Sequence, residues 1–447
     1  MKKLVCLSLA IIQVLLLAAC SGGIFGQDTK TYAWKSEAPT YEDDKEIPII
    51  AFWCPPNTVE WYQSMVDCGF TDVIIDAKYD LWPDTEKLFE GLAICDEVGI
   101  GAYVAINRDR EFSADPRYAE YESFRGINTD EPLTKAQMDI VLDNIKKMDA
   151  AYEDESIHTW MGFAYGVTGE FDTTEEFLAY YMDNGGKEQG IYSICCYPLT
   201  GTGVKGEISA GWLMSLEDVA FIAKQYDVNL YTYISTMSIS SITCRKPAED
   251  DLRYTAYVSL AYGAKGIGEF CYMSPGLPPY DGEFKPNDYA LVNFTDPNDF
   301  STYFKTPTWE YAKNVNFEIK AFDHVLMNYD WKGTMKSEGS DAQTTAGANC
   351  FPYVEHWVEK HDGIESFTST EDAIMGVLKD DNGYEGFMLV NFADPLYNRE
   401  NTVELKFNGA TRAIVYIKGQ PQNVDLVEGT YTVTLEPGEG QFIIPLS

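Results

Sequence analysis

Phe124-Arg125-Gly126-Ile127-Asn128-Thr129-Asp130-Glu131-Pro132 is the stretch on which the fold turns. Residues 124–128 have the texture of a short strand, and the run leads directly into two adjacent carboxylates. Pro132 has no N–H to give to a ladder, so the strand stops there. A helix is expected over residues 135–149. The unit is therefore strand, polar corner, helix.

The same unit recurs on both sides. Upstream, strand-like runs occupy residues 47–53, 72–76 and 101–106. Between them lie helical stretches at 57–68, with Thr58 placed to cap the first, and at 84–98. Downstream, runs at 159–165, 191–197, 229–235 and 266–272 are separated by helical stretches at 174–184, 215–226 and 252–262. Ser215 reads as a cap, with Asp218 three residues on. Eight strands separated by helices over roughly 280 residues predict an α/β fold, a closed (β/α)8 TIM barrel. An open doubly wound sheet is the rival, and no early strand is followed by the Gly-rich phosphate loop it would carry. The segment 274–306, rich in Pro, Gly, Asp and Asn, reads as a long loop at the carboxyl end of the eighth strand, where barrel sites are built. A last helix is expected at 308–327.

Beyond about residue 331 the helical period stops. Runs at 373–378, 386–392, 402–407, 413–417, 431–435 and 441–445, with turns at Asp381-Asn382-Gly383 and Glu428-Gly429, predict a small antiparallel β-sandwich. The expected domains are a barrel over 46–330 and a sandwich over 331–447.

The amino terminus has another character. Lys2 and Lys3 precede an apolar run over residues 4–17, which ends in Leu17-Ala18-Ala19-Cys20. Charge, apolar run and small residues in that order make a secretory signal, and the run is shorter than the roughly 20 residues of a spanning helix. Leu-Ala-Ala-Cys resembles the bacterial lipobox. The resemblance implies that residues 1–20 are signal and lipobox, that Cys20 is lipidated, and that residues 21–45 are a tether. The protein would then lie at the cell surface or elsewhere outside the cytoplasm, anchored to a bacterial membrane.

Composition narrows the partners. Seventy acidic against 33 basic residues leave a net charge of −37, which opposes binding to nucleic acid phosphates. A neutral ligand suits such a surface best. The chain holds ten cysteines and four histidines without a close Cys-x-x-Cys pair, so a structural zinc site is poorly supported. Cysteines within apolar runs read as small core residues.

The paired carboxylates carry the chemistry. Hydrolysis of a glycosidic bond needs one carboxylic acid to protonate the departing oxygen and a second carboxyl as nucleophile or base, with no cofactor. Glu131 is the candidate acid, and Asp130 is placed to orient its neighbours. A helix N-terminus would favour the same two charges through its dipole alone. Glu269, a charge inside the apolar run 266–272, is the candidate partner, because burying it is costly unless it is paired or functional. A buried structural ion pair is its alternative role. Asp76, at the end of the second run, is held in reserve, as is Glu170. Sugar rings call for aromatic platforms flanked by hydrogen-bonding groups. Trp53, Tyr79, Tyr165, Tyr197, Tyr233 and Tyr272 are the candidate platforms, and Asn107, Arg108 and Asp76 the candidate polar contacts.

The segment 126–132 resembles the Gly-x-x-x-Asp-Glu-Pro stretch after strand four of bacterial barrel proteins of the glycoside-hydrolase type. Residues 252–267 are similar to their last helix and eighth strand, and Met388-Leu389-Val390-Asn391-Phe392 with Gly440-Gln441-Phe442 to their small sandwich. The resemblance implies hydrolysis of an extracellular glycan, and the acidic surface points to a neutral one. Two departures stand out. An Asp often found in the motif ending strand six is replaced within Ser193-Ile194-Cys195-Cys196-Tyr197-Pro198, and Tyr231-Thr232-Tyr233-Ile234-Ser235-Thr236 offers no carboxylate on strand seven. A surface lipoprotein that binds glycan without cleaving it is therefore the alternative expectation.

Overall fold

A computed structural model describes residues 31–447 apart from 77–84, 107, 110, 112–114, 130, 153–156, 165–169, 203–204, 240–243, 275–288 and 297–298. Eight parallel strands close a barrel: β1 (Ile49–Phe52), β2 (Asp72–Asp76), β3 (Gly101–Ile106), β4 (Phe124–Thr129), β5 (His158–Ala164), β6 (Ile191–Cys195), β7 (Asn229–Ser235) and β8 (Gly266–Phe270). Each pairs with its neighbours in sequence, and β1 closes on β8. The outer layer includes α1 (Val59–Asp67), α2 (Thr85–Val98), α3 (Lys135–Ala151), α4 (Thr174–Tyr181), α5 (Trp212–Tyr226), α6 (Glu249–Ala261) and α7 (Pro307–Lys320). This is a TIM barrel, as the strand–helix repeat predicts.

Side-chain caps set three of the helix starts. Thr58, Thr134 and Thr173 sit in extended backbone, and their side chains accept from the backbone N–H three residues on. Ser215 departs from expectation. α5 begins at Trp212, and the Ser215 hydroxyl donates to the Gly211 carbonyl inside the first turn. The expected helix at 308–327 is also broken, because Phe322 leaves helical backbone between α7 and a short turn of helix at Asp323–Leu326. The described part of the loop after β8 contains a small antiparallel ribbon, Val292–Phe294 with Tyr303–Lys305.

A second two-stranded ribbon, Leu199–Thr202 with Lys205–Ile208, follows β6, and the strands beyond residue 328 form two antiparallel sheets facing each other. They are β9 (Tyr329–Ser337), β10 (Ile364–Ser369), β11 (Ala373–Asp380), β12 (Glu385–Asn391), β13 (Asn401–Phe407), β14 (Arg412–Ile417), β15 (Gln420–Asp425), β16 (Thr430–Leu435) and β17 (Gly440–Leu446). The orders are β9-β11-β12-β17-β14-β15 and β10-β13-β16. Met375, Phe387, Leu389, Val403, Leu405 and Ile443 lie in the core between them. Opposite residues on the large sheet, Ile374, Leu378, Met388, Val390 and Phe442, join the barrel's outer core. α6 is consequently enclosed, with every residue from Asp251 to Ala261 buried.

The expected tether is shorter than residues 21–45, because part of it is laid onto the sandwich. Trp34 packs edge-on against Phe387 and Phe407 and donates to the Asn408 carbonyl at 2.9 Å, while Tyr41 donates to Asp380 at 2.8 Å. An indole in that core removes more apolar area from water than a tether residue would. Residues 1–30, including Cys20, lie outside the described residues.

Candidate active site at the barrel mouth

The two faces of each barrel strand have different surroundings. Ile50, Ile74, Tyr103, Ala105, Trp160, Ile191, Tyr231 and Tyr233 form a separate cluster inside the barrel, with Phe52, Cys195, Tyr197 and Phe270 packed on it. Ala51, Val73, Ile127, Ile194, Ile234 and Ile267 face the helices. Register ties the sets together: Gly268 pairs with Ile50 and Tyr233, whereas Glu269 pairs with Ala51 and Ile234. Residue 268 therefore points inward and residue 269 outward.

That parity corrects the expectation for Glu269. Its carboxyl is fully buried on the helix side of β8, near Asn316 of α7, and burial pushes its pKa up to about 8. A carboxyl there is kept neutral by desolvation and does not open into the barrel. Tyr272 is corrected for a similar reason. It is buried against Phe70 with its hydroxyl on Ser64 of α1, between barrel and helix.

Glu131 is at the mouth. It lies two residues past the end of β4, is half-buried, and its Cγ would lie 3.9 Å from a Cβ placed on Gly162 of β5. Ser193 Oγ of β6 lies 3.8 Å from the same point. The lack of a side chain at Gly162 thus leaves one space shared by Glu131 and Ser193. Arg108, after β3, donates from Nη1 to the Glu131 carbonyl at 2.5 Å and so steadies the backbone that carries the carboxyl. The hydroxyls of Tyr197 and Tyr233 are held well above the ordinary phenol range, first by burial and then by the nearby Cys195 and Glu131. Glu131, Cys195, Tyr197 and Tyr233 consequently share one neighbourhood.

An aromatic wall completes the mouth. Phe270 lies 5.4 Å from the rings of both Phe52 and Trp53 and 5.6 Å from Tyr197. Of the expected platforms, Trp53, Tyr197 and Tyr233 are in or beside this cluster, although Tyr233 forms part of its floor, stacked 6.4 Å from Trp160. Asp130, Tyr79, Asn107, Tyr165 and the side chain of Asp76 lie outside the described residues, and Glu170 is exposed. Phe52, Phe270, Cys195 and Ser193 escaped the sequence reading. Counting by twos from Ile50 and from Tyr197 would have reached Phe52, Cys195 and Ser193, had the inward parity been known.

No protein-family model matches the chain, and no curated protein matches its sequence. Among solved structures it is similar to an Anoxybacillus α-amylase (TM-score 0.48, 10% identity, covering 92% of this chain and 99% of that one). It is also similar to a GH27 β-L-arabinopyranosidase from Geobacillus stearothermophilus (0.49, 8%, 91% and 97%). An HpcH/HpaI aldolase from Desulfitobacterium hafniense matches over half of this chain (0.33, 10%, 50% and 86%). At these scores the fold rests on the strand order above and the chemistry on the residues at the mouth.

Proposed function

We propose that this protein hydrolyses glycosidic bonds in a neutral extracellular glycan, with Glu131 as the general acid. The observation that carries the reading is a half-buried glutamate just past the carboxyl end of β4, close enough to Tyr197 and Tyr233 to raise the pKa of their hydroxyls, with Tyr197 packed on Phe270 in an aromatic wall. Apolar rings with a few convergent polar groups suit the faces and edges of a sugar. A carboxyl at the rim of such a site is placed to protonate a departing oxygen. A glycan panel assayed with the native protein and Glu131→Gln tests the role. A variant as active as the native protein on every cleaved glycan would remove Glu131 from the mechanism.

Glycan binding without cleavage is the second reading. It is favoured by the outward turn of Glu269, which leaves Glu131 without a second carboxylate among the described inward-facing residues of β5 to β8. Binding by native protein and Glu131→Gln alike, with no product over long incubation, would select it.

The reading extends to location. Lys2, Lys3, the apolar run and Leu17-Ala18-Ala19-Cys20 support export and a lipid anchor on Cys20. Retention of Cys20→Ser in the membrane fraction to the native extent would rule the anchor out.

A further inference from the structure

We propose that Cys195 supplies the nucleophile that the described inward faces of β5 to β8 lack as a carboxylate, so that the reaction passes through a thioglycosyl intermediate on its Sγ. The inference rests on the hydrolytic reading above. Cys195 is the last residue of β6, on its inward face, paired with Ala164 of β5 and Tyr233 of β7. It is half-buried, whereas Cys54, Cys68, Cys95, Cys244, Cys271 and Cys350 are buried. The equally half-buried Cys196 has the opposite parity and lines a small cavity against Trp212 and Leu216 of α5. Cys195 is thus the described thiol presented to the mouth, and it is not disulfide-bonded.

Position relative to the acid follows from the strands. Ser193 Oγ and Glu131 Cγ flank the same point above Gly162, and Cys195 is two residues beyond Ser193 on the same face, about 7 Å further along the strand. A second observation marks the space beneath as a ligand site. Trp160 Nε1, Ser193 Oγ and Tyr233 OH are buried inside the barrel with no hydrogen-bond partner. Three unpaired polar groups in one interior are costly, and sugar hydroxyls at the mouth are of the chemical class that would pair them.

The step balances without a further reagent. As Sγ bonds to the anomeric carbon, the thiol proton passes to the Glu131 carboxylate and from there to the departing glycosidic oxygen, whose bond to carbon breaks. Water then gives a proton to Glu131 and its oxygen bonds to the anomeric carbon. The carbon–sulfur bond breaks, and Glu131 returns the proton to sulfur. The anomeric configuration is retained after two displacements.

The test uses dinitrophenyl glycosides in both anomeric forms, with native protein, Cys195→Ala, Cys195→Ser and Glu131→Gln, thermal unfolding confirming that each is folded. The expected result is a fall in kcat on the order of a thousandfold or more for both Cys195 variants. An acid-quenched Glu131→Gln sample, incubated above the ordinary thiol pKa of about 8.5 so that Sγ ionises without Glu131, should carry one glycosyl group on the peptide containing Cys195. A native protein that cleaves the panel while Cys195→Ala stays within about twofold of it overturns the nucleophile and leaves the hydrolytic reading standing. A glycosyl group found on a carboxylate does the same. A native protein that cleaves nothing overturns both.

Discussion

Tyr233 occupies the space that Gly268 leaves open on the next strand: a Cβ on Gly268 would lie 2.6 Å from Tyr233 Cδ1. Gly266 stands in the same relation to Tyr231, also at 2.6 Å. The barrel interior is therefore packed by rings from β7 lying over a bare β8. Neither ring has a flexible end to move, so Gly268→Ala should destabilise by roughly 1–3 kcal/mol through overpacking, read by denaturant unfolding. Because Tyr233 lies under the mouth, glycan binding should weaken as well. An alanine variant as stable as the native protein would show that the floor is loosely packed.

Glu269 gives a prediction with a definite sign. Its carboxyl is raised by burial from 4.5 to about 8, so the folded protein keeps a proton that the unfolded chain releases. The stability this supports is fully present below pH 4.5 and is lost as the pH rises to about 8. Glu269→Gln stays neutral throughout. Its stability relative to the native protein should therefore climb across that window and level off above it, by on the order of 1.4 kcal/mol per pH unit. Urea unfolding at several pH values measures the difference. A constant difference from pH 4.5 to 8 would show that the carboxyl is not desolvated in the fold.

The misplacement of Glu269 shows what a sequence hides in this architecture. Strands of a parallel barrel are buried on both faces, so Gly266-Ile267-Gly268-Glu269-Phe270 carries no polar alternation to say which side is inner. Strand positions were legible because β-branched and aromatic runs alternate with capped helices, and β7 falls on residues 229–235 as expected. The position of Glu131 at the barrel mouth was legible for another reason: it lies past the strand end, where Pro132 marks the corner and parity matters less. β9, β10 and β15 were missed. Tyr329–Ser337 alternates tryptophan and methionine with lysines, and Gln420–Asp425 is an exposed edge strand without an apolar face.

Glu131→Gln should reveal an acid by its dependence on the leaving group. A poor leaving group needs the proton, so kcat/KM should fall by about a hundredfold to ten-thousandfold. A dinitrophenolate leaves without that proton, so at a pH above the ordinary thiol pKa of about 8.5, where Sγ ionises without Glu131, the first displacement should be nearly unaffected. Equal losses on both substrates would mean that Glu131 shapes the mouth without transferring a proton.

Trp34 ties the amino-terminal segment to the sandwich through Phe387, Phe407 and the Asn408 carbonyl. Trp34→Ala removes a large ring from a closed core and should cost roughly 3–5 kcal/mol. The loss belongs to the sandwich. If the two domains unfold separately, the lower transition in calorimetry should shift while the barrel's does not. A shift below about 0.5 kcal/mol, the level of surface substitutions, would mean that the segment only rests on the surface.

Arg245 connects the domains by charge. Its Nη2 lies 2.6 Å from Asp251 of α6 and 2.6 Å from Asp394, which follows β12, and all three side chains are buried. One guanidinium between two carboxylates leaves little room for error. Removing a single partner strands a charge in a poorly hydrated place, whereas removing the whole group need not destabilise. Asp394→Ala also deletes the acceptor that caps the turn at Leu396, so its loss should reach roughly 3–5 kcal/mol. Arg245→Met should cost a similar amount, because Asp251 and Asp394 are then left facing each other. If the network acts as a unit, the double variant Arg245→Met with Asp394→Ala should lose clearly less than the sum of the two. Strict additivity in chemical denaturation would show that the bridge contributes through packing alone.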